Sequence, residues 1–159
     1  MNSLIKYGVL LGILVVAWTF VMGITGWYKD PVLLNVFWVV VVIQIVLLVW
    51  ALRRTAAAGR HYGAQVLAGT LISLFGGVLI FAGSLLFTTV VFPNYFAELT
   101  ALQQQMLLEQ GKNAQEIRAA MELAAKTNTP IASAVSGFIG TLVTGLLASL
   151  VIAGFVRAK

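Results

Sequence analysis

The chain has no cysteine and a single histidine, His61. The first absence excludes disulfides, thiolate metal sites and a cysteine nucleophile, and leaves the redox compartment open. A lone histidine makes no zinc pattern, which needs clustered ligands, and its place next to Arg60, in the short basic loop that runs from Arg53 to Gly63, reads as an interfacial loop residue. Charge is scarce too. Only 9% of the residues are Asp, Glu, Lys or Arg, against about 25% in a soluble domain. Proline occurs 3 times, at Pro31, Pro93 and Pro130, each between long hydrophobic runs. No ionisable residue lies inside those runs. Proton-coupled carriers, pumps and voltage sensors depend on such residues, so those classes are disfavoured. There is no P-loop, no GxGxxG motif and no serine with a paired base, so an enzyme is not expected. No cofactor and no metal site is expected either.

Hydrophobicity fills the space that charge leaves. The composition is 60% hydrophobic and the mean hydropathy is +0.99. Runs at 8–27, 32–52, 64–92 and 131–156 each reach the roughly 20 residues that cross a bilayer at about 1.5 Å per residue. The fold class read from this pattern is an all-α integral membrane protein. Its four transmembrane helices form one bundle, a single membrane domain over residues 1–159. The basic start before an apolar run resembles a signal peptide, but the run is long and has no convincing cleavage site, so it reads as a retained span. The net charge of +5 comes from residues beside the spans rather than from one patch, which argues against nucleic acid as a partner and for the lipid bilayer.

Small residues are arranged for helix packing. In the last span Ser133, Gly137, Thr141, Gly145, Ser149 and Ala153 recur every fourth residue, opposite Val135, Ile139, Leu142, Leu146 and Leu150. In lipid, close backbone approach over such a face replaces the hydrophobic force between helices. The other helices are expected to pack against this one. Gly8, Gly12, Thr19, Gly23 and Gly26 form a stripe on the first span. Gly69, Gly76 and Gly83 form a seven-residue repeat on the third, which suits one left-handed seam. The second span has no glycine, and its Gln44 is expected to hydrogen-bond a neighbouring helix. Thr88 and Thr89 lie a turn before Pro93, where hydroxyls accompany kinks.

Residues 94–130 break the hydrophobic pattern. Tyr95, Phe96, Leu99, Leu102 and Met106 share one helical face, and Ile117, Met121 and Ala124 another, with Gly111 between. Asn113 and Glu116 have capping-box spacing, and Glu122 and Lys126 are spaced for an ion pair. This is an amphipathic helical hairpin between the third and fourth spans. Lys6, Arg53, Arg54, Arg60, Arg157 and Lys159 fall on one side of the membrane. Lys29, Lys112, Arg118 and Lys126 fall on the other with all 5 acids. The positive-inside bias then places both termini in the cytoplasm and the hairpin outside, in the periplasm of a Gram-negative cell.

The layout has a counterpart. A basic start, four spans, Phe92-Pro93-Asn94-Tyr95-Phe96 and the Gly-x-Asn-x-x-Glu-Ile pattern of Gly111 to Ile117 resemble the small bacterial membrane proteins grouped as domain of unknown function 4199, over about residues 4–156. The resemblance implies a bacterial inner-membrane protein and supplies no catalytic residues. Two functions remain open. One is a non-catalytic membrane protein whose hairpin, through Tyr95, Phe96, Leu99, Leu102 and Met106, meets a partner, another copy (a homo-oligomer) or the membrane surface. The alternative is a small oligomeric transporter or channel for an uncharged or weakly polar solute, lined by Gln44, Asn35 and the hydroxyls of the last span.

Overall fold

The computed structural model describes residues 2–156, and Arg157 and Lys159, counted above on the cytoplasmic side, lie outside them. Among the described residues the regular elements are all helical: α1 (Asn2–Thr25), α2 (Val39–Ala57), α3 (Tyr62–Leu86), α4 (Tyr95–Glu109), α5 (Ala114–Thr127) and α6 (Pro130–Phe155). Short 3-10 turns at Trp27–Lys29 and Leu33–Trp38 join α1 to α2. Four stretches, Ser3–Thr25, Leu33–Ala57, Tyr62–Val91 and Pro130–Phe155, are long and apolar enough to cross a membrane. Their large apolar side chains are exposed, Ile13, Val46, Leu67, Val78 and Leu147 among them, as hydrocarbon contact requires. The chain is a membrane protein.

Local chemistry sets the helix ends. Gly26, spaced for the packing stripe of the first span, packs against nothing and instead ends α1 with φ +72°, a left-handed conformation that favours glycine. Asp30 Oδ1 then accepts from the amides of Val32 (2.7 Å) and Leu33 (3.1 Å) and starts the next turn. The second span begins as 3-10 helix and continues to Ala57, so Arg53 and Arg54 lie in its last turns rather than in a loop. His61 caps α3, its Nδ1 accepting from the Ala64 amide at 3.4 Å. Beyond Leu86 the helix widens into a π-turn over Phe87–Val91, closed by Phe92 N donating to Phe87 O at 2.8 Å. Pro93 explains the widening, because it has no N–H to give and its ring crowds the carbonyl of Thr89. The hydroxyls of Thr88 and Thr89 donate back to Ser84 O (2.8 Å) and Leu85 O (2.6 Å).

The central helix is α3, not α6. α3 lies between α1 and α6, while α2 touches all three. The sequence reason is that α3 has small residues on two faces. A Cβ on Gly8 would sit 2.5 Å from Phe75 Cβ and 2.9 Å from Ile72 O, and one on Gly76 would sit 2.8 Å from Leu11 Cδ2. Gly12 likewise faces Leu79, and Gly83 faces Val16. The matching order of these contacts makes α1 and α3 parallel. On the other face Gly69 meets Ser149, Gly145 meets Ser73, and Gly77 meets Phe138, in reversed order, so α6 runs antiparallel. The expected single seam through Gly69, Gly76 and Gly83 is therefore divided: Gly69 serves α6, and Gly76 and Gly83 serve α1.

Candidate functional site

Two polar constellations stand out in an otherwise apolar bundle. The first is at mid-bundle. Gln44 is buried on α2, and its Nε2 donates to Thr141 O on α6 at 2.7 Å and to Ser73 Oγ on α3 at 3.2 Å. One side chain thus ties three helices, at the level where Gly145 lets α6 approach Ser73. In lipid each such bond is worth about 0.6 kcal/mol and at most about 1.7. Thr141 Oγ1 donates to its own helix, at Gly137 O (2.8 Å), so the carbonyl rather than the hydroxyl of Thr141 serves the interface. Ser149 Oγ is buried against Gly69 without a partner.

The second constellation is at the end of the bundle that carries α4 and α5. The Trp27–Lys29 turn buries Tyr28, whose hydroxyl donates to Glu98 Oε2 in α4; Lys29 Nζ reaches the same oxygen at 3.1 Å. Tyr28 and Lys29 hold the Glu98 carboxyl below its usual range, the tyrosine bond being the larger cause. Burial first, and the bond to Glu98 second, push the Tyr28 phenol up. The Glu98 bond likewise raises Lys29. Around this node the rings cluster: Tyr28 meets Tyr95 at 4.9 Å and Phe87 meets Phe92 at 4.7 Å in tilted pairs, while Phe87 meets Tyr95 at 5.3 Å and Phe20 at 5.4 Å edge to face. The π-turn is what swings Phe87 and Phe92 into one cluster. A cleft of about 350 Å³ opens beside the node, and a second cavity of about 120 Å³ lies below it, among α1, α3 and α6. Thr19, Ser84, Thr88, Tyr95, Ser133 and Gly137 line that second cavity, and burial raises the Tyr95 phenol.

α4 and α5 pack on each other and are pinned at their base. Asn128 Nδ2 donates to Thr100 Oγ1 (3.0 Å) and to Gln103 Oε1 (3.1 Å). Asn113 and Glu116 make both bonds of the capping box, at 2.9 and 3.1 Å. Glu122 pairs with Arg118 (3.3 Å) rather than with Lys126, its favoured partner by spacing.

Comparison with known proteins matches residues 6–158 to the family described as "Protein of unknown function (DUF4199)". The chain belongs to that family. No curated protein and no solved structure matches it.

In this DUF4199 chain the residues singled out by sequence fall in distinct places. Gly8, Gly12, Gly23, Gly69, Gly76, Gly83 and Gly145 sit where a Cβ would collide with a neighbouring helix or ring, and Ser149 fills the space beside Gly69. Gly137 does not: its nearest neighbour would be Ile80 Cγ2 at 3.8 Å, and it lines the cavity instead. Asn35 is exposed and donates within its own turn to Pro31 O at 3.3 Å, away from any interior path. Leu99, Leu102, Met106, Ile117 and Met121 are half-buried, Ala124 is buried, and Tyr95 and Phe96 join the aromatic cluster. No motif or spacing in the sequence marks the node of Tyr28, Lys29 and Glu98. Opposite charges on the same side of the membrane were its only sequence signal.

Proposed function

We propose that this is a non-catalytic protein of the bacterial inner membrane, with both termini cytoplasmic and α4–α5 projecting into the periplasm to contact a protein partner. The observation that carries the reading is how the hairpin is held. The residues of its apolar stripes are half-buried or buried where α4 packs on α5, Glu98 and Asn128 anchor its base, and its outward side is polar with exposed Leu108 and Leu123. A membrane-surface helix instead keeps its apolar face and basic residues for lipid. Residues 94–130 carry Glu98, Glu109, Glu116 and Glu122 against Lys112, Arg118 and Lys126, a balance of 3 − 4 = −1 that gives anionic lipid nothing to attract. A rigid polar projection suits protein contact, with the ordering entropy already met. Photocrosslinking groups at Gln105 and Gln115, activated in intact cells, should yield one discrete protein adduct. Lipid adducts alone would contradict the reading.

The transport alternative draws on the cavity below Tyr95, a mainly apolar space that Thr19, Ser84, Thr88 and Ser133 also line. Against it, the level beneath that cavity is occupied by Gln44, Ser73 and Gly145 in mutual contact. A route through one copy would have to break that layer.

A further inference from the structure

The opposite end of the bundle holds a second built feature. A cleft of about 240 Å³ lies between the start of α1 and the end of α2, lined by Ser3, Leu4, Tyr7, Arg54, Thr55 and Arg60. We propose that this cleft binds the phosphate of an anionic phospholipid.

Three observations support the assignment. First, Arg54 is held in place: its guanidinium lies over the Trp50 ring at 4.7 Å, and Tyr7 braces the same indole edge-on at 5.2 Å. A guanidinium stacked on its face keeps its in-plane N–H donors free, the arrangement that suits bidentate phosphate recognition. Second, among the described residues no acidic side chain pairs with these arginines. The ion pairs among the described residues are Lys29–Glu98, Lys112–Glu116 and Arg118–Glu122, all at the other end of the bundle. All 5 acidic side chains of the sequence also lie within residues 30–122, on the segments of that far end. Arg54 and Arg60 thus both line one cleft with Ser3, with no acidic side chain beside them among the described residues; the Thr55 hydroxyl at its edge donates to Leu52 O at 2.8 Å. Third, the cleft sits where two apolar spans end. Exposed Ile5, Val9 and Trp50 lead away from it along the bundle, giving acyl chains an apolar surface while the phosphate meets the arginines. A free phosphate ester offers the same head-group chemistry without that surface, which separates the two sources experimentally.

The test is thermal unfolding of the purified full-length protein in a neutral detergent. It is titrated separately with short-chain phosphatidylglycerol, short-chain phosphatidylcholine and glycerol phosphate. Phosphatidylglycerol should raise the melting temperature saturably, and the other two should not. Its apparent affinity should fall roughly fivefold in Arg54→Gln or Arg60→Gln and roughly thirtyfold in the double variant, as expected for one and two surface-attracted charges. Arg53→Gln, outside the cleft, should bind as the unsubstituted protein does. If loss of the Arg54 stack prevents folding, Arg60→Gln carries the test alone, since its side chain makes no stacking contact. Equal stabilisation by phosphatidylcholine, or binding insensitive to Arg60→Gln, would overturn the site. Stabilisation by glycerol phosphate as strong as by the lipid would overturn its assignment to lipid.

Discussion

Gly145→Ala is the most informative single change. The added methyl would lie well inside contact distance of Ser73 Oγ and Cβ and 3.1 Å from Gln44 Nε2. Ser73 is fully buried and cannot swing into open space, so α6 must move away from α3 or the polar tie must break. Overpacking of this kind costs about 1–3 kcal/mol, and losing the two Gln44 bonds adds about 1–2, so a total of about 2–5 kcal/mol is expected. Gly140→Ala on the same helix is the control, because a Cβ there meets nothing within 4 Å. Its effect should stay within about 0.5 kcal/mol. Reversible unfolding in mixed micelles of mild detergent and dodecyl sulfate measures both. The double variant Gly145→Ala with Ser73→Gly makes room for the methyl and should recover most of the packing loss, leaving the Gln44 share. Equal stability of Gly145→Ala and Gly140→Ala would refute the close approach of α3 and α6.

Other expectations follow from the same contacts. Gln44→Leu should destabilise by about 1–2 kcal/mol in the same unfolding assay, since it keeps the volume but strands Ser73 and Thr141 O; a neutral result would remove the three-helix tie. Acidification should free the base of α4. The lowered Glu98 pKa means its contribution is complete above the ordinary carboxylate range and is lost as pH falls through and below that range. The raised Tyr28 and Lys29 values place the other limit on the alkaline side, above about pH 10. Proteolysis of the hairpin at graded pH should show protection between these limits, and Tyr28→Phe should weaken the acid dependence. Leu102→Glu with Met106→Glu should separate α4 from α5 and leave the four spans folded, visible as cleavage within residues 94–130 of a protein that still purifies as a membrane protein.

Features encoded by neighbours in sequence were legible in advance. The spans follow from uninterrupted hydrophobicity, and the α5 capping box needs only Asn113 and Glu116 three residues apart. Gln44 was also recognisable as an interhelix donor, because a buried amide in lipid must find a partner. Its partners were not, since Thr141 contributes a backbone carbonyl that no side-chain pattern reveals. The central place of α3 was hidden for a related reason. Its glycines read as one seven-residue repeat, whereas Gly69, Ser73 and Gly77 form a second row whose use depends on which helix comes alongside. Gly137 belonged to the small stripe of α6 by spacing, yet the cavity at its level leaves it without a close neighbour. The Tyr28–Glu98 bond spans 70 residues. It depends on the π-turn at Phe87–Val91, which turns the chain after α3 so that α4 starts beside Tyr28.

Where the hairpin lies relative to the membrane decides the proposed role, and the cysteine-free sequence makes that directly measurable. Single substitutions Gln110→Cys, at the tip between α4 and α5, and Ala58→Cys, between α2 and α3, would be treated with a membrane-impermeant maleimide that reaches the periplasm of intact cells. Gln110→Cys should label at once and Ala58→Cys only after the inner membrane is opened. Labelling of Ala58→Cys in intact cells, with Gln110→Cys protected, would place the hairpin in the cytoplasm and contradict the account.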